Sequence, residues 1–448
     1  MKKPLIIAFV LLFSIVTYAQ ESISLSLEQA IDYALKNNYS AINASRDIDI
    51  AKKQKWETTT MGLPQINATI DYQNWIKQQV SLLPASLLSI EDRESLGLSI
   101  DDKFPAAFGT KQNINATATL SQLIFDGSYI VGLQSAKVYL QISENAKEKT
   151  ELGIREAVIN AYGNVLLSEE SVEILKNNVA SLQKTLNETT EIYKNGFNEE
   201  EDVEQLKITL SSVKSNLSRA QKLNKIAYQM LNITLGLDIK TSVILTEKLN
   251  DLAQKSSEFD FNSETFNIED HIDFKIAKNN EKSNELLMKL EQSKALPSLT
   301  SFINFGYAGY GDNFDFLKKE QRWFDSSLLG VSLNIPIFSS LKRSVKTQKA
   351  KIELDKAKTN LTQTEQNLLL QLESAKTDYN FNIEELETSK QNLALAKRIE
   401  NKQQIKFFEG ISSSFELAEA QRQLYTMQQN YLQAMLNVIA SKATLDNA

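Results

Sequence analysis

Residues 112–127 read Gln-Asn-Ile-Asn-Ala-Thr-Ala-Thr-Leu-Ser-Gln-Leu-Ile-Phe-Asp-Gly. Ile114, Ala116, Ala118 and Leu120 alternate with Asn113, Asn115, Thr117, Thr119 and Ser121. A period of two sets apolar side chains on one face of a strand and small polar ones on the other. After Gly127 the period changes to a heptad. Val158, Val165, Val172, Val179, Leu186 and Tyr193 hold one core position, and Ala161, Ser168, Leu175, Leu182 and Thr189 the other. A 3.5-residue apolar period predicts helices paired side by side in a left-handed coil. A short strand running into roughly 100 Å of helix is not an ordinary globular design.

The same order occurs twice. Leu63-Pro64-Gln65-Ile66 opens a first alternating stretch, with Ile66, Ala68, Ile70, Tyr72 and Ile76 against Asn67, Thr69, Asp71 and Gln73. Leu296-Pro297-Ser298-Leu299 opens its counterpart, with Leu299, Ile303, Phe305 and Tyr307 against Thr300, Asn304 and Ala308. A fourth stretch sets Leu329, Val331, Leu333 and Ile335 against Gly330, Ser332 and Asn334, and ends at Ile335-Pro336-Ile337-Phe338. A second heptad segment follows and is broken at Gly410, as the first is at Gly196. Phe125 and Phe338 are 213 positions apart, and the two glycines 214. Such spacing marks one structural unit duplicated. Glycine in a short polar break between helical runs predicts an antiparallel hairpin. The two tips are then Asn195-Gly196-Phe197-Asn198 and Glu409-Gly410-Ile411-Ser412.

The expected organisation has four parts. Residues 1–19 form an export signal, with Lys2 and Lys3, the apolar run Leu5 to Val16 and a cleavage site at Thr17-Tyr18-Ala19. Residues 20–240 are the first repeat, with an N-terminal helical region over 20–55 capped by Ser26, and strands near 64–80 and 112–125. Residues 241–270 carry the least pattern and connect the copies. Residues 271–448 are the second repeat, with a helix and strands near 297–311 and 326–338. The loop between the strands is 20 residues longer in the first copy, where it holds Pro84, Pro105 and the run Glu91-Asp92-Arg93-Glu94.

Composition narrows the function. The 448 residues include only 6 prolines and 14 glycines, few for a chain with many turns, which points to extended helix. No stretch after the signal has the roughly 18 apolar residues of a spanning helix. Loss of Lys2 and Lys3 leaves 47 basic against 56 acidic residues, a net charge of −9, which gives no support for nucleic-acid binding. There is no cysteine, hence no disulfide and no cysteine-linked lipid anchor. The single histidine, His271 in Glu269-Asp270-His271, has no metal-spaced neighbours. There is no phosphate-binding glycine loop either, so neither catalysis nor a cofactor is expected.

The strands have the length and two-faced pattern of a membrane barrel wall, a pattern shared with a half-buried soluble sheet. Four strands cannot close a membrane barrel, whose smallest single-chain form has eight. Open edges in lipid would leave backbone groups unpaired. If these strands span a membrane, several chains share one barrel. The heptads are equally those of a plain coiled-coil spacer, so an adhesive or structural surface protein anchored by its strands is the alternative.

Taken together, the chain resembles the TolC family of outer-membrane channel proteins. The resemblance rests on Leu27-Glu28-Gln29-Ala30-Ile31 with Ala34-Leu35-Lys36-Asn37-Asn38, on Leu63-Pro64-Gln65-Ile66, on Leu123-Ile124-Phe125-Asp126-Gly127 and on Ile335-Pro336-Ile337-Phe338. Both tips add an aromatic residue before the glycine and an acidic one six positions after it: Tyr193, Gly196, Asp202 and Phe407, Gly410, Glu416. It implies a mainly α fold of long coiled-coil hairpins, with four strands per chain given to a shared twelve-stranded barrel. It implies a homotrimer in outer-membrane lipid, with a helical tube through the periplasm of a Gram-negative cell. Such a duct exports substrates for a tripartite efflux pump or a type I secretion system. The tip residues Asn195, Gly196, Phe197, Glu409, Gly410 and Ile411 would meet a periplasmic adaptor protein that links the duct to an inner-membrane transporter. The channel gate is carried over onto Glu416 and Glu419, with Asp202 in the first copy. Glu416 and Glu419 share a helix face, and three such pairs would form a cation-favouring constriction. The first copy has Gln205 where the second has Glu419. The basic residue that locks some relatives is Ser412 here, which puts such a lock in doubt.

Overall fold

The computed structural model describes residues 23–259 and 266–448. The export signal over 1–19 and residues 260–265 of the connecting segment lie outside the described residues. Contacts divide the chain into two units. One is built from residues 52–138 and 282–355, the other from residues up to 51, 139–281 and 356–448.

The first unit is a four-stranded antiparallel sheet. Its strands are β2 (Gln65–Asn74), β5 (Gln112–Asp126), β7 (Ser298–Gly311) and β8 (Trp323–Asn334), in the order β2-β5-β7-β8. The two halves of the duplication therefore meet along β5 and β7, and β2 and β8 are the edges. The register aligns the apolar positions of all four strands. Ile66 pairs with Leu120, Leu120 with Ile303, and Ile303 with Leu329. Aromatic residues stand at the ends of this face, with Tyr72 and Trp323 in one cross-strand row and Phe125 in another. The opposite face runs Thr69, Thr117, Gly306, Ser326. An apolar band edged by aromatics, backed by a polar face, is what a barrel wall presents to lipid and to water.

Two strands are shorter than their sequence pattern. β2 stops at Asn74, so Ile76 lies beyond it and is almost fully exposed. β8 begins at Trp323 and stops at Asn334, so Ile335-Pro336-Ile337-Phe338 has left the sheet. Pro336 has no N–H to extend the ladder. A different device acts at Gly330, where the Phe302 ring of the neighbouring strand covers the glycine. A Cβ there would stand 2.3 Å from that ring. The long first loop is structured: β3 (Val80–Pro84) and β4 (Lys103–Ala107) form a second antiparallel pair, with the short helix α3 (Ile90–Ser95) between them.

The second unit is helical. The 20–55 region is not one helix. A short strand, β1 (Ile23–Leu25), precedes α1 (Leu27–Asn37) and α2 (Tyr39–Thr60). Ser26 and Gln29 form a reciprocal capping box at the start of α1. Asn38 makes the break: its side-chain oxygen accepts from Ser40 N at 2.7 Å, and its amide donates to Thr234 O at 2.8 Å. A side chain that bonds backbone locally competes with the helix ladder. The connecting segment is also ordered over much of its length. β6 (Val243–Leu245) pairs in parallel with β1, and α6 (Leu249–Ser257) buries Leu249, Leu252 and Ala253. Tyr162, wholly buried, donates its hydroxyl to Leu25 O at 3.1 Å and pins β1 to the core.

The long helices are α4 (Gly127–Lys194), α5 (Glu200–Leu235), α8 (Lys342–Phe408) and α9 (Ser414–Asn447), with α7 (Ile272–Ser293) ahead of the second strand pair. The apolar seam residues Val158, Val165, Leu182, Leu206, Leu231 and Val438 are buried. Where the seam turns polar, the defects answer each other: Asn224 donates to Ser168 Oγ at 2.9 Å. A satisfied polar pair in a coiled-coil seam fixes register.

Candidate functional site: the hairpin tips and the barrel strands

Both tips turn on a left-handed glycine, Gly196 at φ 77° and Gly410 at φ 73°. The amide of Gly196 donates to Tyr193 O and that of Phe197 to Ile192 O. Gly410 and Ile411 repeat this with Phe407 O and Lys406 O. These bonds satisfy the last carbonyls of each helix, and glycine takes the positive φ without a Cβ penalty. At the first tip, Asn195 also donates its side-chain amide to Glu191 O. The turns leave Phe197 and Ile411 projecting, 82% and 69% exposed.

The return helices start differently. At the second tip Ser413 and Glu416 form a capping box: Glu416 N donates to Ser413 Oγ, and Ser413 N to Glu416 Oε2 at 3.0 Å. At the first tip the N-cap is Glu199, whose side chain makes no capping bond. Glu200, Glu201 and Asp202 fill the first turn of α5, where carboxylates suit the positive end of the helix dipole. Asp202 does more. Its Oδ1 accepts from Ser414 N at 3.2 Å, so a first-copy carboxylate satisfies a free amide at the start of α9. Behind this link, Leu182, Leu186, Val203, Leu206, Leu210, Phe407 and Leu417 form one apolar cluster. Tertiary structure thus joins the tips of the two copies.

The three acidic residues singled out by the sequence have different partners. Glu416 is engaged in its cap. Glu419 is held by Arg422 in a two-pronged ion pair, with Nε to Oε2 at 3.0 Å and Nη2 to Oε1 at 2.5 Å. The hydrogen bonds from Arg422 lower the Glu419 carboxyl below its usual range. The contribution of that pair to stability is therefore present above the ordinary glutamate pKa and lost as pH falls. Both side chains are more than half exposed, so the pair is a weak contributor. Arg422 was legible as a partner from its i, i+3 spacing, but the sequence reading treated Glu419 as a bare carboxylate.

His271 has a structural part. Its Nδ1 accepts from Asp273 N at 3.1 Å at the start of α7, and its Nε2 lies 3.1 Å from Asn447 O. Among the described residues no group of three or more His, Cys, Asp or Glu could hold a metal ion, and no helix is long and apolar enough to cross a membrane.

Helical hairpins joined at their tips, together with two pairs of strands that share one apolar face, are the parts of an outer-membrane channel with a helical tunnel. The model of the outer membrane efflux protein family matches residues 30–237 and 271–448, and the chain belongs to that family. It is the outer-membrane exit duct of an efflux pump. Solved structures agree in fold. The outer membrane protein VceC from Vibrio cholerae superposes with a TM-score of 0.69 at 15% identity, over 94% of each chain. The CmeC outer membrane channel of Campylobacter jejuni gives 0.67 at 17% identity, over 94% of this chain and 86% of its own. CusC, whose structures concern folding and transmembrane channel formation, gives 0.70 at 16% identity, over 94% and 90%. No curated protein sequence matches significantly.

Proposed function

We propose that three copies assemble into one duct, with β2 of each chain pairing with β8 of the next to close a twelve-stranded barrel. The observation that carries this is the sheet itself. Its edges are strands of 10 and 12 residues, both bearing the apolar band. In hydrocarbon, unpaired backbone edges cost several kcal/mol per group, and only pairing with another copy removes them. The helices of the three chains then line a periplasmic tube. The tips, with Asn195, Gly196, Phe197, Glu409, Gly410 and Ile411, meet the adaptor protein of an inner-membrane transporter. Exposed Phe197 and Ile411 are the natural apolar anchors for such contact.

Within this reading Asp202, Glu416 and Glu419 form the gate. Asp202 ties the second hairpin to the first through Ser414, Glu416 rings the narrow end with negative charge that favours cations, and Glu419 takes part through its ion pair, its loss leaving the Arg422 cation uncompensated there. Because Glu416 also caps α9, its charge is best removed by Glu416→Gln, since glutamine supports the same capping box. In lipid bilayers the Glu416→Gln, Glu419→Gln trimer is expected to lose most of its cation preference, and Asp202→Ala to open more often or to a larger conductance. Planar-bilayer recordings with asymmetric salt read both. A wild-type trimer that conducts nothing, with or without these changes, would refute the gate.

A further inference from the structure

Above the tips, the long helices of the second unit lie side by side in the order α5, α4, α9, α8. Asn224 and Tyr228 of α5 donate to Ser168 and Glu169 of α4. Asn178 and Ser171 of α4 donate to Gln428 and Gln429 of α9. Leu372, Ala375 and Tyr379 of α8 share an apolar cluster with Val438 and Leu445 of α9. Among the described residues, one side of α5 and one side of α8 are thus left without a long helix beside them. Both free sides carry large apolar residues. On α5, Ile226, Met230 and Ile233 are 49%, 61% and 52% exposed, and on α8 Phe381 is 61% exposed. Phe381 comes two positions after buried Tyr379, hence across the helix from it. Ile226 and Met230 also border a groove of about 520 Å³ that α5 shares with α4 and α9, and Ile233 carries the stripe beyond it. Single exposed apolar residues are ordinary, but a continuous stripe marks an interaction surface.

The charges on these two helices divide by sign. α5 has five cations from Lys207 to Lys225 and no acidic residue after Glu204. From Glu373 to Glu387, α8 has five acidic residues and one lysine. Lys222 and Glu384 are both exposed, and neither has an ion-pair partner within the chain among the described residues. Each stands 26 residues from the glycine of its own tip, Gly196 or Gly410, which is ~39 Å of helix. Ile226 and Phe381 stand 30 and 29 residues from those glycines. The tips themselves are held level by the bond from Ser414 N to Asp202. At matching heights, therefore, the free side of α5 offers a cation and an apolar stripe, and that of α8 a carboxylate and an aromatic ring.

We propose that α5 of one chain packs against α8 of the next, with Phe381 seated among Ile226, Met230 and Ile233, and Lys222 paired with Glu384. The inference rests on the three-chain duct proposed above and names the surface that seals its wall. A head-to-tail ring joins two different edges of the same chain at every interface. Here those edges complement each other in height, in apolar character and in charge, which makes a second copy the occupant. Pairing α5 with α5, or α8 with α8, would set like charges together, so the charges select a closed ring over a two-fold dimer.

The chain has no cysteine, so an introduced pair reports alone. The full chain carrying Ile226→Cys and Phe381→Cys, oxidised in membranes, should give disulfide-linked dimers and trimers on non-reducing gels. Ile226→Cys combined with Lys390→Cys should give none, because Lys390 comes nine positions after Phe381 and lies on the opposite side of α8. Charge reversal at exposed positions tests the seam without touching the apolar stripe. Lys222→Glu and Glu384→Lys should each lower the temperature at which the trimer dissociates by several degrees, and the two together should restore it. Amine cross-linking with glutaraldehyde, which does not depend on this seam, reports assembly separately. A trimer by that measure that forms no disulfide between positions 226 and 381, or whose single reversals dissociate like the wild type, would overturn the seam and leave the three-chain reading standing. So would single reversals whose loss the double exchange does not restore. No trimer by any measure would overturn both.

Discussion

Gly236→Ala is expected to cost about 3 kcal/mol or more of stability, and to lower the amount of assembled protein in the outer membrane sharply. Gly236 ends α5 in the left-handed region at φ 79°. For a residue with a Cβ, that backbone alone costs about 1–3 kcal/mol. The added carbon would also stand 2.1 Å from the carbonyl oxygen of Asn37, at the end of α1. The obstacle is backbone, and it belongs to the break that Asn38 fastens to Thr234, so neither side yields without losing a hydrogen bond. Gly153→Ala is the internal comparison. Gly153 is itself exposed in α4, next to buried Ile154, and nothing stands within 4 Å of the position its Cβ would take. There the same change should gain about 0.5–1 kcal/mol. Thermal melts followed by circular dichroism should move in opposite directions for the two variants. If Gly236→Ala melts with the wild type, the close approach of α5 to α1 is not as described.

Ile303→Lys is expected to prevent stable insertion of the barrel. Ile303 sits near the middle of β7, in the row Ile66, Leu120, Ile303, Leu329. A lysine on the lipid face of a barrel costs about 2–4 kcal/mol at the bilayer midplane. In the proposed three-chain barrel the penalty is borne three times. Thr117→Lys provides the contrast, because Thr117 belongs to the opposite face, in the row with Thr69, Gly306 and Ser326. It should leave insertion intact and alter only conductance. Fractionated membranes and heat-modifiable migration in gels report both outcomes. An Ile303→Lys protein that assembles normally, or a Thr117→Lys protein that fails to, would reverse the assignment of the two faces.

Much of this architecture could be read from the chain. Alternation over 66–72 and 113–121 identified strands, because a two-sided sheet demands a period of two. The heptads from Val158 to Tyr193 identified long paired helices, and Gly196 and Gly410 marked their turns. Two kinds of feature escaped. The first involves single side chains that redirect backbone: Asn38 splits one predicted helix into two, and Pro336 releases the end of β8. The second involves short elements stabilised only by distant partners. β6 is three residues long and exists because β1 lies beside it, more than 200 positions away in the chain. β3 and β4, with prolines at both Pro84 and Pro105, carry little strand pattern of their own.

The candidate site divides in the same way. Its residue types and spacing lie in the sequence: the tip glycines, the acidic residue six positions after each, and the Glu419 to Arg422 interval. The roles of those residues do not. Whether Asp202 faces solvent or the amide of Ser414 depends on how two hairpins, about 210 residues apart, come together.

By itself the sequence determined the periods, the duplication and hence the kinds of element, because periodicity follows from the local geometry of helix and strand. Tertiary structure alone decided the strand order, the register that aligns four apolar rows into one band, and the pairing of Asp202 with the amide of Ser414. Those depend on contacts between residues far apart in the chain, where packing and hydrogen-bond satisfaction select one arrangement from many that the local pattern allows.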